Sequence, residues 1–450
     1  MLKRKIDSYL ERFYQQNNKA LLVTGARQTG KSYSIRQFGN THFKNFIEIN
    51  FVDTPDAIKL FASAKSHQDI LLRLTAFTNR PLVKGETLIF FDEVQECPEI
   101  VTAMKFLVSE GSYRYIMSGS LLGVELKDLR SEPVGYIDVK AMYPLDIEEF
   151  FLALGVSSEV LDAARMAWKQ QKPIDDFVHQ KLMEVFRLYL IVGGMPAAVQ
   201  KYIDTNNLQD VINEQQAIIR LYNRDITKYD KENKLYIQEI FSLIPSELNS
   251  KNKRFILKNL NENLKFSRYE NSFIWLKDAG VALPVYNIEE PVIPLKLSRS
   301  RNLFKLFQSD IGLLASQYAD GIQLKLLNNE RDINYGSIYE NVVAQELLAH
   351  GFELYYFNSK KQGELDFVIE KGGGVVPIEV KSGKDYLRHN ALKNVMENKD
   401  YQISKAIVLC NDNIQTSGNI VYAPIYMVAF LHKEVPVDIN YRIDLSGLDS

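Results

Sequence analysis

Three groups of residues in this chain have types and spacings suited to chemistry on phosphates. The first is GARQTGKS, Gly25 to Ser32, which fits G-x-x-x-x-G-K-[ST]. Gly25 and Gly30 let the backbone curl with positive φ and bring its N–H groups against a triphosphate, so Gly25, Ala26, Arg27, Gln28, Thr29 and Gly30 form a cradle. Lys31 reaches the β- and γ-phosphates. Ser32 opens a helix whose N-terminal dipole favours the anion, and its hydroxyl is a ligand for Mg²⁺. ATP with Mg²⁺ is therefore the expected cofactor pair. The second group is Asp92-Glu93, where Asp92 is expected to hold the Mg²⁺ through water and Glu93 to polarise an attacking water. The third is Asp366, Glu379 and Lys381. Alternation along a strand puts Glu379 and Lys381 on one face and Ile378 and Val380 on the other. Asp366 lies across the hairpin, and three converging charges on apolar strands suggest a site.

These residues need elements to position them. Leu21 to Thr24 reads as a short buried strand entering the loop, and Lys31 to Phe38 as the helix leaving it. Asn45 to Phe51 is a second strand. Thr87 to Glu93, TLIFFDE, is a continuous apolar run ending in acids, as a parallel strand buried on both faces delivers them. Pro98 starts the next helix and Gly111 ends it. Tyr113 to Met117 is the fourth strand; Ser118 at its end, with Ser120 second, is the candidate for sensing the γ-phosphate. Val134 to Val139 is the fifth strand, and the βα succession implies a parallel sheet.

The chain has 450 residues, a length expected to hold about three domains. Its 54 Lys and Arg balance 56 Asp and Glu, so any nucleic-acid contact must come from a local patch. Cys97 and Cys410 are too few for a zinc site or a disulfide framework, and no run approaches a membrane span. A cytoplasmic protein is expected.

From about Ser157 to Asp225 the pattern is helical, as in a lid over a nucleotide. Residues 231 to 300 suggest three helices followed by an apolar hairpin, the order of a winged helix. Tyr269, Phe273 and Leu276 make the core face of the third helix, and Gly280 stops it. Lys251, Lys253, Arg254, Lys258, Lys265 and Arg268 are either phosphate contacts or an ordinary solvated face. From Ser337 the order becomes helix and three strands, with Gly372-Gly373-Gly374 turning the last hairpin. Ser337-x-x-Glu340 reads as a capping box at the start of that helix.

GARQTGKS, LIFFDEVQ, SGSLLG, YPLDIEEF and YLIVGGMPAAV together resemble a large family of prokaryotic AAA-type ATPases fused to a nuclease-like C-terminal domain. Relatives commonly carry Arg or Lys where this chain has Tyr136, so the resemblance supplies no transition-state arginine there, nor a ring oligomer. D366-x(12)-E379-V-K381 with Glu340 upstream looks like the PD-(D/E)xK nuclease core. That likeness implies Asp366, Glu379 and Glu340 as ligands of Mg²⁺ or Mn²⁺, and Lys381 as the group that orients water. The expected architecture is α/β: a P-loop NTPase parallel-sheet domain (1–152), a helical lid (153–230), a winged-helix-like middle (231–315) and a restriction-endonuclease-like domain (316–450). The expected function is ATP binding and hydrolysis, acting on or regulated by DNA. The alternative is a nucleotide-controlled switch in which an inactive nuclease-like domain binds DNA or protein, alone or as a homo-oligomer.

Overall fold

A computed structural model describes the whole chain except residues 1, 63, 65, 121–134, 230–233, 251–252, 256–268, 319–320, 329, 331–334, 434–441 and 444–450. Its first layer is a five-stranded sheet of β1 (Ala20–Thr24), β2 (Asn45–Asn50), β3 (Thr87–Asp92), β4 (Arg114–Ser118) and β5 (Ile137–Ala141), in the order β2-β3-β4-β1-β5. All four pairings are parallel. Such strands need apolar side chains on both faces, and β3 has every residue buried. Alternation sends Ile89 and Phe91 to one core and Leu88 and Phe90 to another. Among the described residues, four helices flank the sheet: α1 (Lys5–Gln16), α2 (Lys31–His42), α3 (His67–Thr78) and α4 (Glu99–Glu110). Pro98 caps α4 and Gly111 closes it in the left-handed region. The order of the strands puts β4 between β1 and β3, which brings Ser118 between the loop and the carboxylates.

Helices then dominate: α5 (Ile147–Ala153), α6 (Ser158–Gln170), α7 (Asp176–Val192), α8 (Pro196–Thr205), α9 (Leu208–Tyr229), α10 (Lys234–Asn249) and α11 (Glu270–Asp278). Tyr269, Phe273 and Leu276 are buried, so the core face expected of the third middle helix is present. The expected second helix of that unit, RFILKNL, falls mostly outside the described residues.

The hairpin expected to be a free wing is built differently. Its strands, β6 (Ala282–Ile288) and β7 (Arg299–Gln308), pair antiparallel, and β6 also pairs in parallel with β8 (Tyr355–Ser359). After α12 (Ile311–Ala315), α13 (Ile322–Leu327) and α14 (Tyr335–Ala349), the chain adds β8, β9 (Gly363–Lys371), β10 (Gly374–Val380), α15 (Asn390–Glu397), β11 (Ala406–Cys410), β12 (Gln415–Ser417) and β13 (Ile420–Pro424). Together they form one eight-stranded sheet, β12-β13-β11-β10-β9-β8-β6-β7. The edge of the C-terminal sheet is apolar enough to capture the hairpin: Val285 and Ile288 are fully buried. One continuous hydrophobic cluster runs from Ala26 and Leu145 through the helical region to Ile378 and Tyr426.

Ser337 is not the cap of α14. The helix already includes Tyr335, and the buried Ser337 hydroxyl donates to Asn249 Oδ1 at 3.1 Å. The expected capping box is therefore absent, and Glu340 is left to other partners.

Candidate nucleotide site and a second charged centre

β1 delivers the chain into Gly25 at φ 137°, where a Cβ would lie 2.1 Å from the carbonyl oxygen of Met142. Gln28 at φ 67° and Gly30 at φ 93° follow, a succession of hands that gathers backbone N–H groups into an anion-binding concavity. Gly30 caps α2, so the positive end of that helix faces the same space. Lys31 Nζ donates to the carbonyls of Gly25 (3.0 Å) and Ala26 (2.8 Å), tying the end of the loop to its beginning. Burial pushes the Lys31 amine down to about 8, against the pull of the nearby Glu93 and Asp92 carboxylates. A buried cation held by neutral carbonyls is ready for an anion.

Asp92, at the end of β3, is buried among neutral donors. It accepts hydrogen bonds from the hydroxyls of Ser118 and Ser32, and from Asn50 Nδ2 at 3.2 Å; Arg36 Nη2 stands 3.8 Å away. Burial raises its carboxyl above the ordinary range, and the hydroxyls only partly offset this. Glu93 sits at φ 56°, a left-handed conformation that costs a non-glycine residue about 1 kcal/mol or more. Its Oε2 accepts from Gln95 Nε2 at 2.5 Å and from Ser120 Oγ at 3.4 Å. The two candidate sensors thus divide: Ser118 serves Asp92, and Ser120 serves Glu93. Ser32 and Asp92 meet as hard oxygen donors, a pairing that suits Mg²⁺.

Helices outside the parallel sheet grip the same loop. Arg27 Nη1 lies 2.6 Å from Asp225 Oδ1 on α9, its Nε donates to Ser120 Oγ at 3.2 Å, and Tyr222 of α9 donates to the Arg27 carbonyl at 3.0 Å. Arg4 donates to the carbonyls of Thr29 (3.0 Å) and Tyr143 (2.7 Å) and pairs with Glu149 (3.1 Å). The GGMP segment, for which the sequence offered no role, is a junction. A Cβ on Gly194 would lie 2.0 Å from the Leu145 carbonyl oxygen. Its own N–H donates to Asp310 Oδ2 at 2.6 Å, and its carbonyl accepts from Leu145 N at 2.7 Å. Asp310 caps α12 through Leu313 N–H, and burial pushes its carboxyl up to about 6 despite these backbone donors.

The second centre lies on the C-terminal sheet. Asp366 Oδ2 accepts from Val380 N–H at 2.8 Å across the hairpin, Glu379 shares a hydrogen bond with Asp366, and Lys381 Nζ is 3.2 Å from Glu379 Oε2. Burial, then the Asp366 charge, push the Glu379 carboxyl well above the usual range. So Asp366, Glu379 and Lys381 do converge. Glu340 belongs to the same neighbourhood, its charge helping to hold up the Lys381 amine, but its two oxygens pair with Lys253 and, at 3.4 Å, with the fully buried Lys305, which also meets Glu364 at 2.9 Å. Glu340, expected as a metal ligand, is here a member of a buried ion cluster, and the helix-cap role read from the sequence is not the one it has. Among the described residues, no group of three or more His, Cys, Asp or Glu side chains is disposed to hold a metal ion. The donors here fit a divalent cation poorly while the lysines stand in place. Lys253, expected on a solvated or DNA-facing surface, points its charge into this cluster; Lys251, Lys258, Lys265 and Arg268 lie outside the described residues.

Several of these partners were not visible in the sequence. Asn50, Arg36, Asp225, Lys305 and Asp310 carry no motif and become neighbours of the sites only through the fold. Arg4 is the one with a signal, a charged residue ahead of the first amphipathic helix.

A parallel sheet of this order, ending in a glycine-bounded loop, a capped helix and a buried acidic pair, defines a P-loop nucleotide-binding protein. Residues 17–151 match the family model described as an AAA domain, residues 183–325 a domain of unknown function (DUF8612) and residues 335–428 another (DUF4143). The chain carries an AAA-type P-loop ATPase domain followed by two further domains. It is similar to the uncharacterized protein MJ1544 of Methanocaldococcus jannaschii, 23% identical over 361 residues that cover 78% of this chain and 72% of that one. Among solved structures, the Walker-type ATPase PABY2304 of Pyrococcus abyssi overlaps with a TM-score of 0.41 and 13% identity, covering 70% of this chain and 96% of that one. The Orc1 protein of Aeropyrum pernix, in complex with DNA, gives 0.28 and 10%, covering 69% and 87%. No single helix among the described residues is long and apolar enough to cross a membrane.

Proposed function

We propose that this chain hydrolyses ATP at Gly25–Ser32, and that nucleotide state acts on the C-terminal charged centre. The observation that carries the first part is Lys31: a buried amine bonded only to neutral carbonyls, beside two acids that have no lysine of their own. The loop's N–H groups and Lys31 bind the phosphates, and Glu93 takes the proton of the attacking water. Ser32 and Asp92 would hold Mg²⁺, which supplies charge neutralisation at the phosphate oxygens. Ser118, between the two strands, couples Asp92 to the position of the γ-phosphate. Lys31→Ala is expected to lower ATP affinity by about 10²-fold or more. Unchanged binding in equilibrium titration would remove the loop from the site.

The convergence of Asp366, Glu379 and Lys381 supports a second reading, a phosphodiester-hydrolysing centre of the PD-(D/E)xK kind with DNA as its substrate. In the described arrangement Lys253 and Lys305 neutralise its acidic wall, so activity requires Lys253 to move. Cleavage of duplex, single-stranded and branched DNA with Mn²⁺, with and without ATP, tests it. Loss of cutting in Asp366→Ala and Lys381→Ala, with ATP turnover intact, is the expected result. If the wild-type chain cuts nothing under any nucleotide condition, the centre is a nucleotide-controlled binding scaffold instead.

A further inference from the structure

The loop residue that meets the most partners is not a glycine or the lysine but Arg27. Its Nε is bonded to Ser120 Oγ at 3.2 Å, and that hydroxyl lies 3.4 Å from Glu93 Oε2. Its Nη1 is fixed at 2.6 Å from the buried Asp225 Oδ1 of α9. Tyr222, one turn earlier on α9, holds the Arg27 backbone carbonyl at 3.0 Å. The guanidinium therefore stands between the acid expected to activate water and a helix of the lid, next to Lys31, whose amine its charge pushes down. Among the described residues, Nη2 makes no hydrogen bond. Two of the three donor nitrogens are spent on orientation, and one is left.

We propose that Arg27 is a catalytic residue of ATP hydrolysis supplied by the phosphate loop itself, with Asp225 as the residue that positions it. This rests on the hydrolytic reading above. In the step, the water oxygen forms a bond to the γ-phosphorus as the bond from phosphorus to the β–γ bridging oxygen breaks. The water proton passes to Glu93, and the electron pair of the broken bond stays on ADP. Negative charge grows on the bridging and γ-oxygens, and a planar, permanently charged donor beside them stabilises it more than it stabilises bound ATP. Arg27 is already in the loop that would hold the phosphates. Because α9 belongs to the helical region, the same contact makes the lid's position a condition of turnover.

The test uses the full-length chain. Arg27→Ala is expected to lower kcat by about 10³-fold while ADP affinity stays within a few-fold. It should also abolish the extra affinity for ADP with fluoroaluminate, a mimic of the transferring phosphoryl group, and added guanidinium should restore part of the turnover. Asp225→Asn is expected to lower kcat about tenfold with KM nearly unchanged, since orientation and not binding is lost. Turnover of Arg27→Ala within twofold of wild type overturns the proposal. So does equal weakening of ADP and ADP-fluoroaluminate, which marks a strut between loop and lid. A wild-type chain that does not hydrolyse ATP defeats the hydrolytic reading instead, so the two failures are distinct.

Discussion

The nucleotide site and the C-terminal centre contain the same kinds of side chain, yet their charges are arranged in opposite ways. Around the loop, Lys31 is bonded to carbonyls, while Asp92 and Glu93 are bonded mainly to hydroxyls and amides. Lys31 is near both acids without being paired to either, and Asp92 has only the long 3.8 Å contact with Arg36, a state that costs stability and leaves room for a phosphate and a cation. On the C-terminal sheet, Glu340 is matched by Lys253 and Lys305, Glu364 by Lys305, and Glu379 by Lys381. That centre satisfies itself. The difference teaches that convergence of acids and lysines is not enough to define an open site; what matters is whether the charges are already spent on each other.

Substitutions that neutralise one carboxylate in each place separate the two cases. Glu340→Ala leaves the fully buried Lys305 paired with Glu364, with Asp366 acting on it from farther off, and is expected to destabilise the chain by about 3 kcal/mol or more. Asp92→Asn removes a buried charge whose nearest cation, the half-exposed Arg36, stands 3.8 Å away, and should change stability by less than about 1 kcal/mol, toward greater stability. Denaturant midpoints of the two variants measure both. Equal losses would mean that Asp92 is as structurally paired as Glu340, and the contrast would collapse.

A smaller effect sharpens the comparison through pH. The Lys31 amine, lowered to about 8 by burial, regains its proton when a phosphate is brought beside it. Above pH 8 the complex then carries more protons than the free chain, so ATP binding takes up as much as one proton and affinity falls as pH rises. The same lysine affects folding with the opposite slope. Between about 8 and the unfolded value of 10.5, the unfolded chain binds more protons, and nucleotide-free stability rises with pH across that window. Calorimetric titration of ATP in buffers of different ionisation enthalpy at pH 8.5 reads the uptake. No uptake would mean that Lys31 is charged in both states.

What could be read from the sequence follows from the range of the interactions. The loop, its strand and the acidic pair were legible because each is a contiguous pattern whose backbone conformation is set by its own residues. The position of Ser118 was legible from the strand order, since a strand between β1 and β3 must end there. Other features lay beyond local patterns. Lys253 and Lys305 lie 87 and 35 residues from Glu340 in sequence, and nothing near them marks the encounter. The Ser337-x-x-Glu340 pattern misled because the helix begins earlier, so a local signal was overridden by packing. The hairpin looked like an independent wing because its continuation into β8 depends on residues 69 positions away, as the pairing of Ile288 with Phe357 shows. The GGMP glycines became intelligible only when the Leu145 carbonyl and Asp310 were seen against them.

The central claim is that Gly25–Ser32 and Glu93 form one hydrolytic site. It is tested most directly by measuring ATP binding and single-turnover hydrolysis side by side in wild type and Glu93→Gln. The amide keeps the shape of the side chain and removes only the base. ATP affinity is expected to stay within a few-fold of wild type and the hydrolysis rate to fall by about 10²-fold or more, so that bound ATP persists. Hydrolysis by Glu93→Gln at the wild-type rate would contradict it.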